Sequence, residues 1–184
     1  MKKIIQLLIL SDFFIITGFG LVNPILAVFI NQNIIGGSIA AVGIATALFL
    51  LTKSLLQIVV SEKFNPRDRN KLLLTGTFLI SLVPFLYAFS SDIWQIYAIQ
   101  ILHGIGNALA FPAFIGLFTL NVSKKAPGLE WSIYSTYTSL GGGVAALLGG
   151  WIASSLGFKM AFLLQGVFVI IGFIVLLAFA GRKK

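Results

Sequence analysis

The chain has 184 residues, 58% hydrophobic and only 10% charged, with a mean hydropathy of +1.02. A soluble domain carries roughly 25% charged residues, so a water-soluble enzyme and a disordered segment are both excluded. The formal charge of +8 would suggest nucleic acid in a soluble protein; in this composition it is read as basic loops on one side of a bilayer, with no nucleic-acid partner.

In chain order, six apolar runs predict helices over 4–30, 39–60, 72–90, 94–120, 132–156 and 158–180. Each is far longer than the ~9–11 residues of a barrel strand and close to the ~20 that cross a bilayer as helix. The first run is too long for a signal peptide, carries Asp12 and precedes five further spans, so it is kept as a helix. The expected fold is all-α, a single six-helix transmembrane domain over residues 1–184.

Basic residues set the expected orientation. Lys2 and Lys3 precede helix 1; Lys63, Arg67, Arg69 and Lys71 join helices 2 and 3. Lys124 and Lys125 join helices 4 and 5, and Arg182, Lys183 and Lys184 follow helix 6. These place both termini in the cytoplasm of a multi-pass protein of the cell (inner or plasma) membrane. The loop from Asn31 to Ser38 carries no charge, as an external loop should, and Trp94, Trp131 and Trp151 lie near helix ends.

A weak repeat relates the two halves. The turn Phe64-Asn65-Pro66-Arg67 recurs as Leu156-Gly157-Phe158-Lys159, and Gly18-Phe19-Gly20 with Pro24 echoes Gly104-Ile105-Gly106 with Pro112. Three helices per unit turn the second copy upside down, giving two inverted three-helix repeats. Chance likeness between apolar helices is the alternative.

Polar residues at membrane depth are the candidate pathway. Asp12 lies ~12 Å into helix 1 and Lys53 ~10 Å up helix 2 at 1.5 Å per residue, so matching depth predicts an ion pair. A purely structural pair, or a Lys53 reaching the headgroups, is the alternative. On helix 4, Gln100, His103 and Asn107 share one face; Thr46, Lys53 and Gln57 form a stripe on helix 2, and Asp12 shares a face with Asn23 on helix 1. His103, the sole histidine, is a candidate proton site, with a neutral imidazole bonded to a neighbouring helix as the alternative. No metal site and no cofactor are expected: a single histidine without nearby Cys or Glu makes a poor ligand set, and the chain has no cysteine.

On helix 5, Ser132, Ser135 and Ser139 run into Gly142, Ala146 and Gly150, a small-residue stripe suited to close packing, with Gly149 beside it. Tyr134, Tyr137 and Thr138 add hydroxyls for a polar substrate. Helix 6, nearly all apolar after Lys159, is expected to face lipid, and lipid contact suffices to explain the seventeen phenylalanines.

These residues resemble one six-helix half of a major facilitator superfamily transporter, and more closely the N-terminal half. Glu62-Lys63-Phe64-Asn65-Pro66-Arg67 is similar to the family's loop signature between helices 2 and 3, a Gly, an acid-base pair, a second Gly and basic residues, with Glu for Asp, Asn for the second Gly and Ile58 for the first. The resemblance makes Glu62, Lys63, Asn65 and Arg67 a gating-loop motif. Gln100 to Gly106 keeps both glycines of the family's helix 4 pattern without its arginine. Gly141, Ala145, Ala146, Gly149 and Gly150 match the spacing of a helix 5 motif of proton-coupled exporters, with both central residues changed to Ala. Gly157-Phe158-Lys159 and Phe162 resemble the opening of helix 6.

The resemblance implies a secondary transporter, not an enzyme, for a small-molecule substrate. A complete family member has two such halves, so the expectation is a half-size protein working by alternating access as a parallel homodimer, with proton coupling as its sharper form. Two other readings stay open: the N-terminal half of a split transporter paired with a different chain, and a non-transporting scaffold or regulatory subunit.

Overall fold

A computed structural model describes residues 1–63 and 68–180, with side chains described through 178. Asn65 and Arg67 of the loop motif, with Phe64 and Pro66, lie outside the described residues, as do Arg182, Lys183 and Lys184. The described residues form six helices: α1 (Lys3–Asn33), α2 (Ile39–Lys63), α3 (Arg69–Ala88), α4 (Ile93–Asn121), α5 (Pro127–Leu156) and α6 (Phe158–Ala180). All six are long and apolar enough to cross a bilayer.

The largest boundary difference is at α5, which begins at Pro127 rather than near residue 132. Proline fits the first turn of a helix because its missing N–H would be unsatisfied there anyway. Glu130 then adds an acid to that turn, where the helix dipole favours one. A proline and an acid in its first turn thus carry the helix beyond the run that predicted it. At its other end, α5 stops at Gly157, whose φ of 86° lets the chain turn at once into α6.

The helices form two layers. α4 packs chiefly on α2 and α3, α1 chiefly on α5 and α6, and α3 also meets α6. The order α2–α4–α1–α5 therefore makes one layer, with α3 and α6 behind it. α6 is not simply a lipid-facing span: Ala161, Phe162, Gln165, Val169 and Leu176 are buried against α1 and α3, while Val167, Ile170 and Ile174 point outward. Having few polar residues shows that a helix can face lipid on every side, not that it does.

Glycines set the close approaches. A Cβ at Gly20 would lie 2.7 Å from the Gly142 carbonyl oxygen on α5, and one at Gly18 would lie 3.0 Å from the Gln165 carbonyl on α6. On α4, a Cβ at Gly104 would lie 2.9 Å from the Phe49 carbonyl on α2, and one at Gly106 would lie 3.0 Å from the Gly76 carbonyl on α3. Each glycine pair thus lets one central helix sit against two neighbours. On α5 the tight face is Thr138, Gly141, Ala145 and Gly149, all buried, and a Cβ at Gly149 would overlap the Leu21 carbonyl. Of the expected packing residues, Gly149 lies on this face and the Gly142 backbone meets Gly20, whereas Gly150 meets nothing within 4 Å and Ala146 lines a cavity. Runs of adjacent small residues do not say which of them faces the neighbour.

The two ends are tied differently. At the Gly36 end, Ile35 N–H donates to the Ser91 carbonyl at 2.9 Å and Ile93 N–H to the Ile35 carbonyl at 3.0 Å, joining two loops. Asp92 caps α4 there, accepting from Trp94 N–H at 2.8 Å, while Gln95 Oε1 accepts from Asp92 N–H at 3.2 Å. At the Met1 end, Glu130 Oε2 accepts from Ser123 N–H at 3.0 Å and Oε1 lies 3.6 Å from the terminal ammonium of Met1. Apolar cores fill both ends, one around Ile30, Ile34 and Ile96, the other around Ile5, Leu117 and Phe118.

Candidate functional site

Between the two cores lies a cavity of about 640 Å³, opening on the α2–α4–α1–α5 layer. That volume is in the range of small-molecule sites, roughly 300–1,000 Å³. Its wall brings together Asp12 and Asn23 from α1, Lys53 from α2, His103 and Asn107 from α4, and Tyr134 from α5. Gly142 and Ala146 also line it, and their small side chains leave the space open.

Asp12 faces α5. Tyr134 Oη donates to Asp12 Oδ2 at 2.6 Å, a short charge-assisted bond when the carboxyl is ionised. Lys53 faces α4, with its Nζ 4.7 Å from the centre of the Phe111 ring. The expected Asp12–Lys53 ion pair does not form. The reason is helix pairing: α1 and α2 follow one another in sequence but scarcely touch, α1 packing on α5 and α2 on α4. Equal depth in the bilayer is not adjacency.

His103 is held by stacking. Its ring lies 4.9 Å from Phe19 at an interplanar angle of 4° and 4.5 Å from Phe49 at 28°. Gly104 makes this possible, since its missing Cβ admits the α2 backbone at Phe49. Asn107 Nδ2 donates to the His103 carbonyl at 3.1 Å, so its amide is partly occupied along its own helix.

Three of the expected residues are not part of the cavity wall. Gln100 is buried one turn from His103 toward the Gly36 end. Gln57 lies one turn beyond Lys53 toward the Met1 end, with no partner for its buried Oε1 among the described residues. Tyr137 is 56% exposed on the outer side of α5. Asn23 sits at the rim, exposed. Glu62 and Lys63 end α2 away from the cavity.

The aromatic lining is what sequence reasoning missed. Phe19, Phe49, Phe111 and Phe114 line the cavity rather than meeting only lipid. A partial signal was present: Phe49 stands one helical turn before Lys53, and Phe19 lies between two glycines. Glu130 was also missed, although an acid three residues after a proline marks the first turn of a helix.

The sequence profile of the Major Facilitator Superfamily matches residues 8–184. Among curated proteins, an MFS-type transporter of Methanocaldococcus jannaschii is 23% identical over 95% of this chain and 45% of its own length. The multidrug resistance protein MdtG of Proteus mirabilis is 23% identical over 88% of this chain and 40% of its own. The MFS-type transporter SLC18B1 of Homo sapiens is 27% identical over 90% of this chain and 41% of its own. The chain therefore spans less than half the length of these relatives. Six apolar helices with glycine-mediated packing, together with a match that runs from the first helix to the last residue, place the chain in the Major Facilitator Superfamily.

Proposed function

We propose that this six-helix unit is one wall of a secondary transporter whose solute path runs past Asp12, Lys53 and His103. The observation that carries the reading is the cavity itself. Two charged side chains and an imidazole converge on it at membrane depth, where an ionisable residue costs ~2.5–3.5 kcal/mol on insertion scales and is rarely kept without use. A scaffold that only holds a partner has little need of all three. The relatives named as transporters or multidrug resistance proteins favour the same reading.

The cavity opens on one layer of the bundle, so a second six-helix unit must close it for solute to be alternately exposed to the two sides. In this reading a parallel second copy supplies that wall, and a different second half is the competing arrangement. The neighbour pattern supports inverted repeats: exchanging α1, α2 and α3 with α4, α5 and α6 converts the α1–α5 and α1–α6 contacts into α4–α2 and α4–α3. Both termini lie in the cytoplasm, by the basic residues around Lys2, Lys71 and Lys124, and the protein resides in the cell membrane. Asp12, bonded only by the Tyr134 hydroxyl among the described residues, is the group that exchanges a proton during the cycle.

Single cysteines test the pathway, because the chain has none of its own. Asn107→Cys and Gly142→Cys should react with a water-soluble maleimide in proteoliposomes, whereas Leu147→Cys on the outer face of α5 should react slowly. Equal protection of all three would remove the aqueous cavity and the transport reading with it.

A further inference from the structure

The cavity holds one carboxylate and one ammonium that do not neutralise each other. Asp12 is turned to Tyr134 on α5, and Lys53 is parked over the Phe111 ring on α4. Aromatic faces fill much of the wall between them, with Phe19 and Phe114 in reach of the same space.

We propose that the ligand of this cavity is a zwitterion built on an aromatic body, its ammonium at Asp12 and its carboxylate at Lys53. The inference rests on the cavity being the solute site and adds the chemical class of the solute. A ligand bearing only a cation would pair with Asp12 but place a second positive charge beside the uncompensated Lys53. One bearing only an anion would do the reverse at Asp12. Like charges in a site of reduced dielectric repel more strongly than in water, so either ligand loses part of what its one pairing gains. An apolar ligand would strip water from both charges and pair neither. A zwitterion satisfies both at once and leaves the loaded cavity neutral.

The resting contacts fit this role. A cation over a phenylalanine face is a weak interaction, and a carboxylate forms a stronger charge-assisted bond to the same ammonium. Lys53 is thus held in place without being committed. Tyr134 fixes one oxygen of Asp12 and leaves the other for an incoming ammonium. His103, the imidazole of the wall, is stacked between Phe19 and Phe49.

Three matched probes with one aryl core test the proposal: 4-(aminomethyl)benzoate, its methyl ester and 4-methylbenzoate. They carry both charges, the cation alone and the anion alone. Thermal unfolding of the purified full chain in mild detergent is followed as each is titrated. The expected result is stabilisation by the zwitterion with an apparent Kd at least about tenfold below that of either singly charged probe. Asp12→Asn should move the preference to 4-methylbenzoate, and Lys53→Met should move it to the ester. The wild-type comparison decides without either variant, and each variant decides separately if the other fails to fold. Equal stabilisation by all three probes, a preference for one singly charged probe in the wild type, or no stabilisation by any of them overturns the proposal. Maleimide labelling of the cavity is independent of these probes, so the transport reading can survive that failure.

Discussion

The Tyr134 hydroxyl donates a 2.6 Å hydrogen bond to Asp12 Oδ2, and through it α5 is tied to α1 across 122 residues of sequence. Lys53, the residue of opposite charge at the same depth, makes its contact with Phe111 instead. A double-mutant cycle separates the two arrangements. Asp12→Ala, which unlike Asn leaves no acceptor for the hydroxyl, should show with Tyr134→Phe a coupling of about 0.6–1.7 kcal/mol, between the mean and the largest value found for hydrogen bonds between membrane helices. Asp12→Asn with Lys53→Met should be additive to within about 0.5 kcal/mol, as for residues without a shared contact. Reversible unfolding in mixed micelles measures both, and strong coupling of the second pair would restore the direct ion pair.

Two adjacent glycines make the packing of α5 testable. Gly149 lies against the Leu21 backbone and Gly150 against nothing within 4 Å. Gly149→Ala should force α1 and α5 apart and cost about 1–3 kcal/mol, as overpacking does. Gly150→Ala should change stability by less than about 0.5 kcal/mol. Thermal midpoints of the two variants provide the comparison, and equal losses would mean that α5 is rotated from its described position.

The contrast shows what the amino-acid sequence makes legible. Apolar length alone located six helices, because the bilayer fixes how long a span must be. Which helices touch was not legible, since lipid and helix interiors are equally apolar and leave no periodic mark. Asp12 was therefore matched with Lys53 by depth, when the α1–α5 contact matched it with Tyr134. The phenylalanines of the cavity were hidden for the same reason: Phe111 looks like any lipid-facing residue until Lys53 is found above it. Of the cavity wall, sequence reasoning reached the ionisable residues and left out the aromatic surface between them.

Glu130 is a second tie, at the Met1 end. It is buried, accepts from the Ser123 backbone and lies 3.6 Å from the terminal ammonium. Glu130→Gln keeps an acceptor for Ser123 but removes the charge, while Glu130→Ala removes both. The alanine variant should lose about 1.5–3 kcal/mol, the net contribution of a hydrogen bond to a charged group, and the glutamine variant less. Differential scanning fluorimetry orders the two, and a glutamine variant as unstable as the alanine one would assign the whole effect to charge.

The orientation proposed from the basic loops can be read with two single-cysteine variants. Asn33→Cys, at the last residue of α1, should react with an impermeant thiol reagent in intact cells. Lys124→Cys, in the loop before α5, should react only after the membrane is opened. The reverse pattern would invert the topology and turn the basic loops outward against the positive-inside rule.

The last prediction concerns the second wall. α2 and α5 are the least buried spans, and both also contribute to the cavity, Lys53 from one and Tyr134 and Gly142 from the other. They stand at the two edges of the front layer, while α3 and the outer face of α6 lie behind. A parallel second copy closing the cavity must meet the first along those edges, since only there do side chains flank the cavity mouth. Leu51, 61% exposed on α2, and Ser139, exposed on α5 one turn before the cavity-lining Gly142, are suitable positions for single cysteines, with Ile174 on α6 as the control at 56%. Mixed Leu51→Cys and Ser139→Cys copies in native membranes should give a disulfide-linked dimer on mild oxidation, and Ile174→Cys should not. Cross-linking through Ile174 alone would put the cavity on the outside of the assembly, where polar groups such as Asp12 and Asn107 would face lipid without compensation. That outcome would leave the family and the six-helix fold in place and reject the shared pathway between two copies.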